Sequence, residues 1–301
     1  MRAIRGFPIT CSWPLDSMFC PPMSPLAGEG AEGEGQPAHH QHETMIDLHT
    51  HILHEFDDGA ESLSDALVMA RAAVANGITT VATTPHGRGV PPPNSRYSVA
   101  LIRERFAVLQ TALEAEAIPL TLVAGTEIYG EAGALAALQA GRLLTYGTSR
   151  ALLLEFPLEV RAEAAAELIF GFQLANYRVV VAHPERYRFV RQDPNALIPL
   201  IERGALMQLT SGALIGRQGS HMQRVTKQML QHGMAHILAT DSHGPHLRRM
   251  PDLAEAHAVA CELVGAEVAD ALVLHTPAAI LADAALDLPP PEHIRRWFGL
   301  W

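Results

Sequence analysis

Cysteine, lysine and long apolar runs are what this chain has least of, and each shortage excludes something. Of its three cysteines, Cys11 and Cys20 lie near the N-terminus and Cys261 far away, so neither a disulfide framework nor a paired zinc-ligand spacing is present. Free thiols are expected. A cysteine-based phosphatase needs Arg six residues after its nucleophile, yet those positions hold Ser17, Leu26 and Glu267. Lys227 is the only lysine, which disfavours metal barrels whose ions are bridged by a carboxylated lysine, because this one falls in a helical pattern. The formal net charge of -10 opposes binding to nucleic-acid backbones. No stretch approaches the eighteen or so apolar residues that a membrane-spanning helix needs. Pro8, Pro14 and Asp16 interrupt any apolar segment of secretory length. The expectation is a soluble cytoplasmic protein with no membrane span.

What is present is core-forming material. Apolar residues make up 48% of the chain and charged residues 18%, the balance of a globular domain. Residues 1–44 are rich in Gly, Pro, Glu and Ser and carry no helical or strand period, so they read as a disordered extension. An alternative start at Met45 fits equally well. From Met45 to 301, short apolar runs alternate with helical patterns. Strands are expected at 45–48, 78–83, 120–124, 151–155, 178–182, 205–209 and 236–239. Between them, 62–76, 97–117, 161–175, 194–203 and 221–232 have helical spacing. Strand–helix–strand repetition argues for a parallel α/β barrel, whose site gathers at the C-terminal ends of the strands.

Those ends are charged. The first strand runs into Asp47-Leu48-His49-Thr50-His51, where the period of two aims both imidazoles to one side. The following ends hold His86, Glu127, Glu155, His183-Pro184-Glu185-Arg186 and Asp241-Ser242-His243. Charged groups at the rim of an apolar core cost several kcal/mol each unless paired or metal-bound. Imidazole and carboxylate without thiolate suit Zn²⁺, Mn²⁺ or Fe²⁺. With Asp58 added there are too many donors for one ion, so two or three are implied. A water held by such ions is a nucleophile at neutral pH, and no side-chain nucleophile is then required.

The segments DLHTHILHEFDDG, TTPH, GTEIYG, LLLEFP, AHPERY and TDSH occur in the order seen in PHP-domain proteins. From Met45 to about Leu281 the chain most resembles the bacterial CpsB/CapC-type tyrosine-protein phosphatases of capsule and exopolysaccharide loci. The resemblance implies a distorted seven-stranded (β/α)7 barrel and three divalent ions, with Mn²⁺ the first choice. It assigns His49, His51, Glu127 and Asp241 to one ion, and Glu127 as a bridge with Glu155 and His183 to the next. Asp58, His86 and His243 take the third. Asp47 would orient a ligand imidazole, and Arg186 would bind phosphate oxygens. The implied partner is the phosphotyrosine-bearing tail of a bacterial tyrosine kinase controlling polysaccharide synthesis. Thr210 and Thr276 stand where relatives often have Asn. Tyr129, Tyr187, Arg88, Arg188 and Arg217 are candidates for the substrate entrance, while His54, His236, His257 and the other histidines read as surface or satisfied residues. A histidinol-phosphate-type phosphatase, a TatD-like nuclease and a non-catalytic metal-braced module share parts of this pattern. Phosphopeptide turnover separates them.

Overall fold

The computed structural model describes residues 44–89, 97–245 and 250–295. The expected extension at 1–44 therefore lies almost wholly outside the described residues. Beyond it, the strand–helix alternation is met in a mixed α/β fold whose paired strands are all parallel.

In chain order the elements are β1 (Met45–Thr50), α1 (Leu63–Ala75), β2 (Ile78–Thr83), β3 (His86–Gly87), α2 (Val99–Ala115), β4 (Thr121–Ala124), β5 (Glu127–Tyr129), α3 (Ala134–Gln139), β6 (Ala151–Glu155) and α4 (Ala162–Leu174). There follow β7 (Arg178–Ala182), α5 (Arg188–Gln192), α6 (Ile198–Ile201), β8 (Leu206–Thr210), α7 (Ser211–Leu214), α8 (Ser220–Gln231), β9 (Ile237–Ala239), α9 (Leu253–Val264), α10 (Ala266–Asp270) and α11 (Thr276–Leu281). One sheet has the order β1-β2-β4, the other β3-β5-β6-β7-β8-β9. The parallel bridge Thr50–Ser242 and the bond from Asp241 N–H to His49 O (2.9 Å) set β1 beside the end of β9.

The two strands not foreseen, β3 and β5, exist because longer runs are interrupted. Pro85 follows Thr84 and has no N–H for the ladder, so β2 stops and pairing resumes at His86. At the parallel break, Gly125 N–H bonds Thr83 O (2.9 Å) and Glu127 N–H bonds Pro85 O (3.1 Å), which carries the chain past without losing its neighbour. Both breaks deliver a charged residue to the rim.

Alternation along the strands builds two cores. Leu152, Leu154, Val179, Val181, Met207 and Leu209 pack outward against the helices. Ala151, Leu153, Val180, Ala182, Leu206, Ile237 and Ala239 face the other way and meet Leu48, Tyr146 and Ile280. Helix α1 begins where the Ser62 hydroxyl caps Asp65 N–H (3.2 Å) and buries Ala66, Met69, Ala70 and Ala73 at helical spacing. Its end at Asn76-Gly77, with Gly77 at φ 78°, is where the sequence put it. Helices α9 to α11 lie beyond the segments expected as helical from the sequence. They form one packed corner in which Gly265 (φ 85°) separates α9 from α10, and a π-helical turn at Ala271–His275 joins α10 to α11. Among the described residues no helix is long and apolar enough to cross a membrane.

Candidate metal centre and substrate pocket

All nine residues expected as ligands come together at the C-terminal ends of the strands. Glu127 is the hub. Its Oε1 lies 3.0 Å from His183 Nε2 and 3.2 Å from His49 Nε2, while Oε2 lies 2.9 Å from His86 Nδ1 and 3.3 Å from His51 Nε2. Asp241 Oδ1 approaches His49 Nε2 (3.3 Å), and Glu155 Oε1 approaches His183 Nε2 (3.6 Å). Asp58 Oδ1 stands 3.3 Å from His86 Nε2 and 3.5 Å from His243 Nε2. One candidate group of donors is His51, Asp58, His86 and His243, and three further groups share His49, His51, His86, Glu127, Glu155, His183 and Asp241.

The backbone is bent to achieve this. His183 (φ 32°) and Asp241 (φ 53°) both adopt the left-handed region, which costs of order 1 kcal/mol or more for such residues. In the loop after β1, a Cβ on Gly59 would fall 2.0 Å from the His51 carbonyl oxygen, which explains the glycine after Asp57-Asp58.

Hydrogen bonds around the rim fix how each imidazole is turned. Gln208 donates its Nε2 to Leu209 O (2.8 Å), so its Oε1 faces His49 Nδ1 at 2.8 Å and accepts that proton. Asp57 Oδ2 likewise accepts from His51 Nδ1 (2.8 Å) and also from His86 N–H (2.9 Å). The lone pairs of His49 and His51 Nε2 then point at one another across 3.2 Å and at carboxylate oxygens. Acceptor facing acceptor, with every partner 0–1% exposed, is repulsive unless cations lie between them. The electrostatics agree. Burial opposes charge on His49 and His51, yet Glu127 and Asp241 for the first, and Asp57 with Glu127 for the second, outweigh it and raise both imidazoles above their ordinary range. Burial also disfavours an ionised Glu127, but its histidines hold the carboxyl well below the usual value. Such a field attracts positive charge, and the N/O donor set fits hard or borderline divalent ions.

The expected role of Asp47 needs correction. Asp47 does not turn an imidazole: its oxygens accept from the backbone N–H groups of His49 (3.2 Å) and Thr240 (3.1 Å) and from the Thr240 hydroxyl. It is a buried tie between β1 and the end of β9, and burial lifts its carboxyl to about 6. Gln208 and Asp57 do the orienting instead. Gln208 had a legible signal, a lone amide in an otherwise apolar strand. Asp57 was hidden by the adjacent Asp58.

Beside the cluster opens a cavity of about 320 Å³, lined among others by Arg186, Thr210, Arg217, Met250 and Asp252. Arg186, 37% exposed, reaches Asp241 Oδ2 at 3.4 Å, too long for a strong bond, and lines the cavity. Of the proposed entrance residues, Arg217 lines this cavity, held by Asp252 (2.9 Å) and Glu255 (2.8 Å). Tyr187 does not: it is fully buried, donating its hydroxyl to Ala182 O (2.7 Å). Arg188 pairs with Glu159, and Arg88 stacks on Tyr129 (4.0 Å to the ring centre) beside a separate cavity. Thr210 donates its N–H to the buried Glu185 (2.8 Å), and its side chain borders the main cavity.

Comparison with known proteins places this geometry. The family model for capsular polysaccharide synthesis, CpsB/CapC, matches residues 45–282. Tyrosine-protein phosphatase YwqE of Bacillus subtilis is 35% identical over 255 residues, spanning 84% of this chain and 97% of the relative. Among crystal structures of YwqE and of Streptococcus pneumoniae CpsB, described as unique metal-dependent tyrosine phosphatases, one superposes with TM-score 0.77 at 34% identity, covering 84% of this chain and 100% of that one. An organophosphorus hydrolase from Deinococcus radiodurans, at 17% identity and TM-score 0.52 over 79% of this chain and 93% of its own, shares the fold alone. A strand-end cluster of five imidazoles and their carboxylates, on a chain so matched from its first strand to its last helix, has one conclusion: the protein belongs to the CpsB/CapC family.

Proposed function

We propose that the chain is a metal-dependent protein-tyrosine phosphatase acting on the phosphorylated, tyrosine-bearing tail of a cytoplasmic-side bacterial tyrosine kinase that governs capsule or exopolysaccharide synthesis. The observation that carries this reading is the convergence of four imidazoles, those of His49, His51, His86 and His183, on Glu127, with the Arg186 guanidinium at the adjoining cavity. Taking β2 with β3 and β4 with β5 as interrupted strands gives the seven of a distorted barrel. The catalytic domain is 45–301, with 1–44 a dispensable extension, and the protein works in the cytoplasm.

Three divalent ions, Mn²⁺ preferred, would account for the donors in the sets that the family resemblance implies: His49, His51, Glu127 and Asp241; Glu127, Glu155 and His183; Asp58, His86 and His243. When bound, they would supply a water activated at neutral pH and positive charge for the phosphate. The rest is the work of side chains. Gln208 and Asp57 keep the Nε2 atoms of His49 and His51 facing inward. Asp47 and Thr240 hold β1 and the end of β9 together so that His49 and Asp241 stay in register. Arg186 binds two phosphate oxygens and offsets the charge that builds during in-line displacement. A phenolate leaving group needs little protonation. A disordered phosphorylated tail can reach a rim where Asp58 is 60% exposed, which a rigid folded surface could not.

Chelation should abolish hydrolysis of a phosphotyrosine peptide, and Mn²⁺ should restore it. Equal or greater turnover of a small alkyl phosphate such as histidinol phosphate would replace the protein substrate with a metabolite. Activity that survives verified metal removal would end the metal reading altogether.

A further inference from the structure

Among the described residues outside the strand-end cluster, one other set of side chains brings metal-ligating atoms of different kinds together: His257 and Cys261 on α9 and Asp270 at the end of α10, with donor atoms within 4.8 Å of one another. We propose that these three residues form a second, thiolate-containing metal site for a borderline ion such as Zn²⁺. The proposal does not depend on the phosphatase reading.

His257 and Cys261 are one helical turn apart, so their side chains project from the same face of α9. Gly265, at φ 85°, lets the chain turn into α10, which returns Asp270 to that face. His257 Nε2 is 2.7 Å from Asp270 Oδ1 and 3.7 Å from Cys261 Sγ. Bonds of about 2.3 Å to sulfur and about 2.0 Å to nitrogen and oxygen make the edges of a zinc tetrahedron roughly 3.3–3.6 Å. The sulfur edge is already near that length, and the nitrogen–oxygen edge has to open by about half an ångström, the difference between a hydrogen bond and two ligands of one ion. Partial exposure of His257 (18%) and Asp270 (24%) leaves room for entry and for water in the fourth position.

Sulfur sets the choice of ion. Thiolate with imidazole and carboxylate favours Zn²⁺ over Mn²⁺, whereas the strand-end cluster contains no sulfur. On binding, the Cys261 thiol loses its proton to solvent. The proton that His257 Nε2 shares with Asp270 leaves that nitrogen while Nδ1 takes one up, so one proton is released per ion. The two sites are joined by α9 itself: Asp252, just before its first turn, borders the substrate cavity and holds Arg217, while Cys261 lies nine residues, or about 13 Å, further along.

The test uses the full-length protein with Cys11→Ser and Cys20→Ser, loaded with Mn²⁺ and titrated with Co²⁺ as a coloured substitute for Zn²⁺. The expected result is a thiolate-to-cobalt charge-transfer band that saturates at one ion, disappears when Zn²⁺ is added, and is absent when Cys261→Ser is also present. His257→Asn or Asp270→Asn should each weaken Co²⁺ binding by at least about tenfold, the smallest cost seen for even an outer-shell partner. In the unmutated chain, one equivalent of Zn²⁺ but not Mn²⁺ should slow alkylation of Cys261, read by peptide mass. The absence of the band, its survival in Cys261→Ser, or alkylation of Cys261 at the same rate with and without Zn²⁺ would each overturn the proposal.

Discussion

The strand-end cluster and the α9–α10 corner both gather imidazole and carboxylate, and they handle the charge in opposite ways. At the strand ends, donors arrive from β1, β3, β5, β6 and the residues after β7 and β9, and His49, His51, Glu127 and His183 are 0–1% exposed. The inner nitrogens of His49 and His51 face oxygens or each other because Gln208 and Asp57 occupy the outer ones. At the corner, His257 and Asp270 meet as an ordinary donor and acceptor at 2.7 Å, partly buried. The first arrangement is costly without cations, since its buried charge is relieved only by metal ions or by protons on the imidazoles. The second folds without any ion and binds one as an addition. A metal site that a fold requires and one that it merely permits thus look alike in donor type and differ in what satisfies the donors when the ion is absent.

The comparison can be broken most severely at His183. His183→Ala should lose bound metal and with it all measurable turnover, because two carboxylates, Glu127 and Glu155, are left without their shared imidazole. Full metal content by elemental analysis in this variant would mean that the cluster is less interdependent than argued. Arg186→Ala should keep its metal and lower kcat/KM by on the order of 10²-fold or more, the scale of removing one preorganised donor. Should metal content fall instead while the loaded fraction turns over normally, the Arg186–Asp241 contact is structural. Asp57→Asn should fold, and should bind metal roughly 10–100-fold more weakly, since the amide no longer accepts strongly from His51 Nδ1 and leaves that ring free to turn. Unchanged metal affinity in a chelator competition would assign the orientation of His51 to packing alone.

A buried imidazole outside both clusters sharpens the contrast. His236 accepts the Met207 N–H (3.0 Å), and burial alone lowers its pKa to about 4. Its folded-state value lies below the unfolded one, so the stability it permits is complete above about pH 6.5 and is lost as pH falls from there toward 4. The loss should approach about 3 kcal/mol at the acid end. Denaturant titrations at neutral and acid pH, compared with His236→Gln, should differ by that increment. An identical pH dependence in the two proteins would show that His236 is not the titrating group.

Much of this was legible in the sequence because the signals are local. The run Asp47-Leu48-His49-Thr50-His51, the Thr-Pro-His and Thr-Glu segments, and the glycine after Asp57-Asp58 each mark a strand that stops at a charged rim, and the apolar alternation of 151–155 and 178–182 fixes which faces are core. The errors came from long-range pairing. Nothing near Tyr187 in the chain signals that its hydroxyl turns inward to Ala182 O and accepts from Phe156 N–H, leaving it no part in the entrance. Nor does β1 reveal that Asp47 bonds Thr240, since that depends on β1 lying beside β9, the first strand beside the last.

Residue types, their order along the chain and the period of the apolar positions were sufficient for the parallel α/β architecture and for the donor set at its rim, because hydrophobic alternation and ligand chemistry are properties of short segments. Tertiary structure alone decided which carboxylate turns which imidazole, that His183 and Asp241 take the left-handed backbone that brings them to Glu127 and His49 respectively, and that His257, Cys261 and Asp270 share a corner. Those outcomes depend on strand register and helix packing, which bring together side chains far apart in sequence and whose energies no single segment contains.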